Sequence, residues 1–275
     1  MHKKLILLTL FIWFIASSNA GRVDTIHIFS ASMSLNLPAV VITPDTYKNK
    51  RLHFPVIYLL HGYSGNFSNW ITRVPELANY ADQYQLIIVC TEGGYGSWYF
   101  DSPIDKNMRY ETYIGVEVPQ TIDSTYRTIA DNMHRAISGL SMGGHGALLI
   151  AWRHPDVFAF AGSMSGGVDL KESVHRFDIE KVLGDSVQYP GNWNNNSVMN
   201  IIETKIAQPI SFILDCGTDD IFIAGNRRLH QKLLSLKIPH DYIERPGNHS
   251  WDYWKYSIGF QLLYFRKGFD MHPVN

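Results

Sequence analysis

A serine stands between two glycines in Gly139-Leu140-Ser141-Met142-Gly143. A short apolar run (Ala136, Ile137, Leu140) precedes it, and Gly144-His145-Gly146-Ala147-Leu148-Leu149-Ile150-Ala151-Trp152, which reads as a helix, follows. Strand, sharp turn and helix in that order lift a hydroxyl above a sheet on strained backbone, and the glycines supply the conformational room. The chemistry implied is nucleophilic attack. Serine alone is too weak for it, so a base and an orienting acid must follow, in the order serine, acid, histidine that goes with such a turn. Asp219 and Asp220 lie in the loop after the apolar run 210–216 and are the candidate acids, whereas Asp215 falls inside that run. His249, in Pro246-Gly247-Asn248-His249-Ser250-Trp251, sits in a loop just before the last helical segment and is the candidate base. Attack on a carbonyl also needs donors for the developing oxyanion: the backbone N–H of Met142, directly after the serine, and one from the turn His61-Gly62-Tyr63, assigned to Tyr63. Among the competing histidines, His61 lies in that oxyanion loop, and His134, His145, His154 and His230 fall in or beside helices, where packing or solvation explains them. No H-E-x-x-H or C-x-x-C spacing occurs, so the sequence implies neither a metal nor a cofactor. Gly93-Gly94-Tyr95-Gly96 lacks the lysine and following helix of a phosphate-binding loop and reads as a turn.

These residues can meet only at one edge of an α/β sheet. Apolar runs predict strands over 23–30, 37–43, 55–60, 86–90, 135–140, 158–164, 210–216 and 242–245. Amphipathic segments predict helices over 70–83, 119–129, 144–152, 225–236 and 251–265. Strands alternating with helices give a mostly parallel central sheet with helices on both faces, and in such sheets functional groups gather at the carboxyl ends of the strands. The stretch 166–208 is the least regular and leaves the same edge as the nucleophile, which marks it as a candidate partial lid or a plain surface excursion.

With those pieces placed, the chain resembles the putative esterase, or esterase D, family of α/β-hydrolases, which includes tributyrin, feruloyl and acetyl-xylan esterases, S-formylglutathione hydrolases and mycolyltransferases. The resemblance is carried by Leu60-His61-Gly62-Tyr63-Ser64-Gly65, Trp98-Tyr99-Phe100-Asp101-Ser102, Tyr126-Arg127-Thr128, Gly139 to Gly144, His154-Pro155-Asp156-Val157-Phe158, Cys216-Gly217-Thr218-Asp219-Asp220 and Gly247-Asn248-His249-Ser250-Trp251. It implies the α/β-hydrolase fold, with Ser141 as nucleophile, Asp220 rather than Asp219 as acid and His249 as base. Trp98 and Tyr99 match a segment near the site, as substrate contacts or as packing, and Trp251 is a third aromatic candidate for substrate contact. The family's usual strand order separates the strands of Cys90 and Cys216 by three others, about 19 Å, too far for a disulfide. Two buried thiols are expected.

The ends and the charge bound the rest. Lys3 and Lys4, an apolar run from Leu5 to Ile15 and Ser18-Asn19-Ala20 predict a cleaved signal peptide over 1–20, leaving a single catalytic domain over 21–275. A run of about eleven residues rises only about 16 Å as a helix, short of a bilayer core of about 30 Å, so export rather than anchoring is expected. Without that segment the formal charge moves from −1 to −3. Basic residues are scattered, which points away from nucleic acid, and no second apolar run reaches membrane-spanning length. Asn66, Asn195 and Asn248 open N-x-S/T patterns, and glycans at Asn66 and Asn248 would crowd the oxyanion loop and His249, which favours a bacterial export route and a periplasmic or secreted location. The partner expected is a small-molecule or polysaccharide-linked ester, hydrolysed through an acyl-enzyme; the oligomeric state is left open. Transfer of the acyl group to a sugar hydroxyl is the enzymatic alternative. A binding module that has lost its chemistry is the non-enzymatic one, and it has no need of all three of Ser141, Asp220 and His249.

Overall fold

A computed structural model describes residues 21–273; the expected signal peptide over 1–20 lies outside the described residues. Eight strands form one sheet: β1 (Arg22–Ser30), β2 (Leu35–Thr43), β3 (Val56–Leu60), β4 (Ile87–Thr91), β5 (Arg135–Leu140), β6 (Phe160–Met164), β7 (Ser211–Gly217) and β8 (His240–Arg245). Their order is β1-β2-β4-β3-β5-β6-β7-β8, with β2 antiparallel to both of its neighbours, β1 and β4, and the six strands from β4 to β8 in that order parallel to one another. The central strands β3, β4 and β5 are buried along their whole length, which is why they read as unbroken apolar runs in the sequence.

Strand alternation sends side chains into two separate cores. Val56, Tyr58 and Leu60 of β3 face one, and Ile57 and Leu59 face the other. The first core is covered by α3 (Tyr110–Thr112), a π-helical turn (Tyr113–Glu117), α4 (Val118–Thr125), α5 (Met142–Arg153) and α9 (Ile223–Ser235). The second is covered by α1 (Asn69–Arg73), α2 (Leu77–Tyr84) and α10 (Trp251–Asp270), which contribute Trp70, Leu77, Trp254, Ile258 and Phe265. Between β6 and β7 the chain folds into α6 (Ile179–Leu183), α7 (Pro190–Asn196) and α8 (Val198–Ile201), so the irregular stretch is locally helical in short pieces.

Two helix expectations need correction. The segment 70–83 is two helices, because Pro75 keeps Val74 out of the α region (φ −133°, ψ 68°). The helix expected over 119–129 stops at Thr125, after which Tyr126 is extended (φ −117°, ψ 156°) and Thr128 bridges to Phe54 beside β3. The last helix also runs further than expected, to Asp270.

Cys90 on β4 and Cys216 on β7 are free and buried, with β3, β5 and β6 between them. Burial pushes both thiols well above their ordinary range. The native protein is therefore expected to ignore a thiol reagent at neutral pH and to titrate two thiols once denatured without reductant. Fewer than two would show a bridge that this topology forbids.

Candidate active site

β5 ends at Leu140, and Ser141 begins the turn into α5 with φ 54° and ψ −118°, a backbone geometry rarely held by a residue with a side chain. The turn is fixed from both sides. Ser141 N–H donates to Met164 O of β6 (2.9 Å), and Ser141 O accepts from His145 N–H (3.1 Å) and Gly167 N–H (3.3 Å). Gly143 presses the first turn of α5 onto the end of β3: a Cβ there would lie 2.5 Å from the carbonyl oxygen of His61. Only glycine fits.

His249 and Asp220 arrive from the ends of β8 and β7. Ser141 Oγ–H donates to His249 Nε2 (2.9 Å), and His249 Nδ1–H donates to Asp220, with both carboxylate oxygens at 3.0 Å. That pairing assigns the neutral imidazole tautomer needed to accept the serine proton. Asp220 is buried and also accepts the Phe222 N–H (2.8 Å). The imidazole stands edge-on to Phe222 and Trp254, with ring centroids 5.2 and 4.9 Å away. Asp219, next to Asp220, is exposed, and among the described residues its one hydrogen bond is that of its N–H to Gly247 O (2.9 Å). Asp215 is fully buried in β7 and serves a different contact, accepting from Tyr253 Oη and Arg245.

The two N–H groups expected to serve as oxyanion donors, those of Met142 and Tyr63, are both left open by the fold. Met142 opens α5, so its N–H has no acceptor within the helix, and the N–H of Tyr63 has no partner among the described residues. The Tyr63 turn is braced by side chains whose contribution was not legible in the sequence. His61, fully buried, donates from Nδ1 to Gly62 O (2.8 Å) and accepts the Gly93 N–H at Nε2 (2.9 Å), while Ser64 N–H reaches Tyr95 O (2.7 Å). The Gly93–Gly96 turn thus supports the His61–Tyr63 loop.

Trp251 lines the cleft over Ser141, but Trp98 and Tyr99 do not. Both are buried behind its wall with left-handed backbone (φ 53° and 61°), and the substrate-contact option for them gives way to packing. Tyr99 Oη–H donates to His61 O (3.0 Å), and Trp98 Nε1–H donates to Phe177 O (3.0 Å). Through Phe177 the stretch 166–208 does reach the site. Phe177, with Tyr63, Leu140 and Trp254, lines a cleft of about 360 Å³, and no motif in the sequence marked it. Tyr63 Oη–H ties this strap down by donating to Asp178 (2.9 Å), and desolvation together with that bond pushes the phenol up to about 12. No group of His, Cys, Asp and Glu suited to a metal occurs among the described residues.

A serine on a strand-to-helix turn, with histidine and acid delivered by the last two strands of a mostly parallel sheet, defines an α/β-hydrolase. The sequence matches the Putative esterase family over residues 30–264, and the chain belongs to it. An acetyl esterase of Caldicellulosiruptor saccharolyticus is 26% identical over 253 residues, covering 83% of this chain and 92% of the relative. The diacylglycerol acyltransferase/mycolyltransferase Ag85A of Mycobacterium leprae is 28% identical over 245 residues, covering 76% and 73%. Among solved structures, a ferulic acid esterase superposes with a TM-score of 0.77 at 28% identity, covering 91% of this chain and 99% of that one. The protein is a serine-dependent carboxylic ester hydrolase.

His145 is excluded as a base by its position. It is fully buried on α5 between Trp98 and Phe100, neither ring nitrogen has a partner among the described residues, and burial lowers its pKa to about 3. The unfolded chain binds that proton below about 6.5 whereas the folded one does not, so stability is full above that value and falls as pH drops toward 3. His145→Leu should abolish this contribution, on the order of 2 kcal/mol between about pH 7 and pH 5. Urea unfolding of both proteins at the two pH values checks it; equal losses would show that His145 takes up its proton in the folded state.

Proposed function

We propose that Ser141, His249 and Asp220 form the catalytic triad of an exported esterase acting on acyl or feruloyl esters, within one domain over 21–275 that follows a cleaved signal peptide over 1–20. The observation that carries the triad is the unbroken hydrogen-bonded chain from Ser141 Oγ through the imidazole to Asp220. Ser141 Oγ attacks the ester carbonyl carbon as its proton passes to His249 Nε2, and the carbonyl oxygen, now negative, is held by the N–H groups of Tyr63 and Met142. Collapse breaks the bond to the alcohol oxygen, which takes the proton back from Nε2. Water, activated by the same imidazole, then releases the acid and restores the serine. Asp220 stays ionised throughout, holding the tautomer and stabilising the imidazolium. No step draws on a cofactor.

The acyl group faces Tyr63, Leu140 and Phe177, a mostly apolar wall that suits acetyl and aromatic acyl groups alike. The acetyl esterase and ferulic acid esterase among the similar proteins support this range. Likeness to the Ag85A acyltransferase supports a second outcome, in which a sugar hydroxyl replaces water in the last step.

The test is hydrolysis of nitrophenyl acyl esters, methyl ferulate and acetylated xylan by the protein and by a folded Ser141→Ala variant. Turnover by the parent and none by the variant is expected, and persisting hydrolysis in the variant would exclude the mechanism. The two acids separate in the same assay. Asp220→Asn should lower kcat by about 10⁴ and Asp219→Asn by far less, since only Asp220 meets the imidazole. The opposite ranking would assign the orienting role to Asp219.

A further inference from the structure

The catalytic cleft adjoins a second, larger groove. Arg73 and Trp251 line the cleft, and their chain neighbours Val74 and Asp252 line a groove of about 560 Å³ along the seam of α2 and α10. On α10 the lining falls at helical spacing from Asp252 through Tyr256 and Phe260 to Leu263, so the groove runs about 16 Å away from the end of the helix nearest His249. Its walls are aromatic. Tyr80 and Tyr84 of α2 lie nearly parallel (centroids 6.1 Å apart, 17°), and Tyr256, 62% exposed, meets Phe260 edge-on at 5.3 Å. Glu76 and Lys255 face each other at 3.5 Å, which leaves Asp252 as the one uncompensated charge of the lining.

Gly259 opens the groove. It sits in the middle of a 20-residue helix, where glycine weakens the helix relative to alanine, yet a Cβ there would meet only Tyr80, at 3.2 Å from the hydroxyl oxygen and 3.7 Å from the ring. The one tight neighbour is the far end of the Tyr80 side chain, which can shift by a few tenths of an ångström, and the backbone conformation does not require glycine at this position. Its effect is an uncovered floor between two aromatic walls.

The reaction dictates which half of an ester lies there. His249 Nε2 must return a proton to the departing alcohol oxygen, so the alcohol lies on the imidazole side of Ser141, and α10 begins two residues after His249. The acyl half lies toward Tyr63 and Phe177. We propose that the α2–α10 groove is a glycan subsite, in which a neutral chain of pyranose rings bearing the ester stacks on Tyr80, Tyr84 and Tyr256, while Phe260, whose ring carries the Arg245 guanidinium (4.3 Å), closes the side of the groove. Flat sugar faces suit exposed aromatic rings, and the tyrosine hydroxyls and Asp252 supply hydrogen bonds that an acyl tail could not use. This proposal rests on the esterase reading of Ser141.

The experiment compares nitrophenyl acetate, acetylated methyl xyloside and acetylated hexamers of xylose and of mannose as substrates for the parent, Gly259→Met and Tyr256→Ala. Melting temperatures are measured for all three proteins. The parent should favour hexamer over monomer esters in kcat/KM by on the order of tenfold, the worth of one or two aromatic stacks. Both variants should lose that preference while hydrolysing nitrophenyl acetate within about twofold of the parent, and Gly259→Met should melt no lower. Equal turnover of hexamer and monomer esters by the parent, or variants that slow every substrate alike, overturns the subsite and leaves the esterase reading intact. So does selective loss of long-chain acyl ester hydrolysis in the variants, which would make the groove an acyl site, or a parent dimer that Tyr256→Ala dissociates, which would make it an interface. A parent inactive on nitrophenyl acetate and every other ester removes both readings.

Discussion

The loops that carry Asp220 and His249 are held as one body by a buried carboxylate. Asp215, fully buried at the end of β7, accepts from Arg245 at the end of β8 and from Tyr253 in the first turn of α10, so it grips both sides of the loop that carries His249. Beside it, Asp219 N–H donates to Gly247 O, and Gly247 adopts φ 148° with Tyr253 so close that a Cβ would sit 2.4 Å from the ring. Removing one member of a buried charge pair generally costs about 3–5 kcal/mol, far more than a surface pair contributes. Burial raises the Asp215 carboxyl, against the pull of Tyr253 and Arg245. The imidazole therefore keeps its place between two groups that belong to different strands, and its orientation does not depend on the mobility of a free loop.

A second constraint acts at Ser141. Holding Ser141 in a sparsely populated region of backbone space costs on the order of 1–3 kcal/mol, and the parallel sheet supplies that through the Met164 and Gly167 bonds and the pressure of α5 on β3. The same contact joins two segments with open N–H groups of unrelated origin, Met142 opening a helix and Tyr63 in a strand-end turn. Behind them, His61, Tyr99 and Trp98 form a buried tier that fixes the His61–Tyr63 turn and the Phe177 strap together. Preorganisation of this kind, rather than any single contact, is what a developing oxyanion requires.

Much of this was legible in the sequence, and for identifiable reasons. Parallel strands buried on both faces must be apolar throughout, so β3, β4 and β5 announced themselves, and a site at their carboxyl ends lies within a few residues of each run. The break at Pro75 was missed because Trp70, Val74, Leu77, Ala78 and Ala81 keep a helical rhythm straight through it. The choice between Asp219 and Asp220 needed the family resemblance. What separates them is the turn in which Asp220 N–H returns to Gly217 O (3.1 Å), with the Asp220 carboxylate buried and that of Asp219 exposed. Phe177 and the His61–Gly93 bond were out of reach, because each joins segments far apart in the chain through contacts that leave no local pattern.

The central claim is covalent chemistry at Ser141, and trapping the intermediate tests it most directly. Enzyme mixed with a slowly deacylating nitrophenyl ester, quenched in acid within the first turnover and analysed by peptide mass spectrometry should show a burst of about one nitrophenol per chain and one acyl group, on the peptide containing Ser141. A burst with the acyl group on another residue, or steady turnover with no acylated peptide under conditions that preserve esters, would contradict the account.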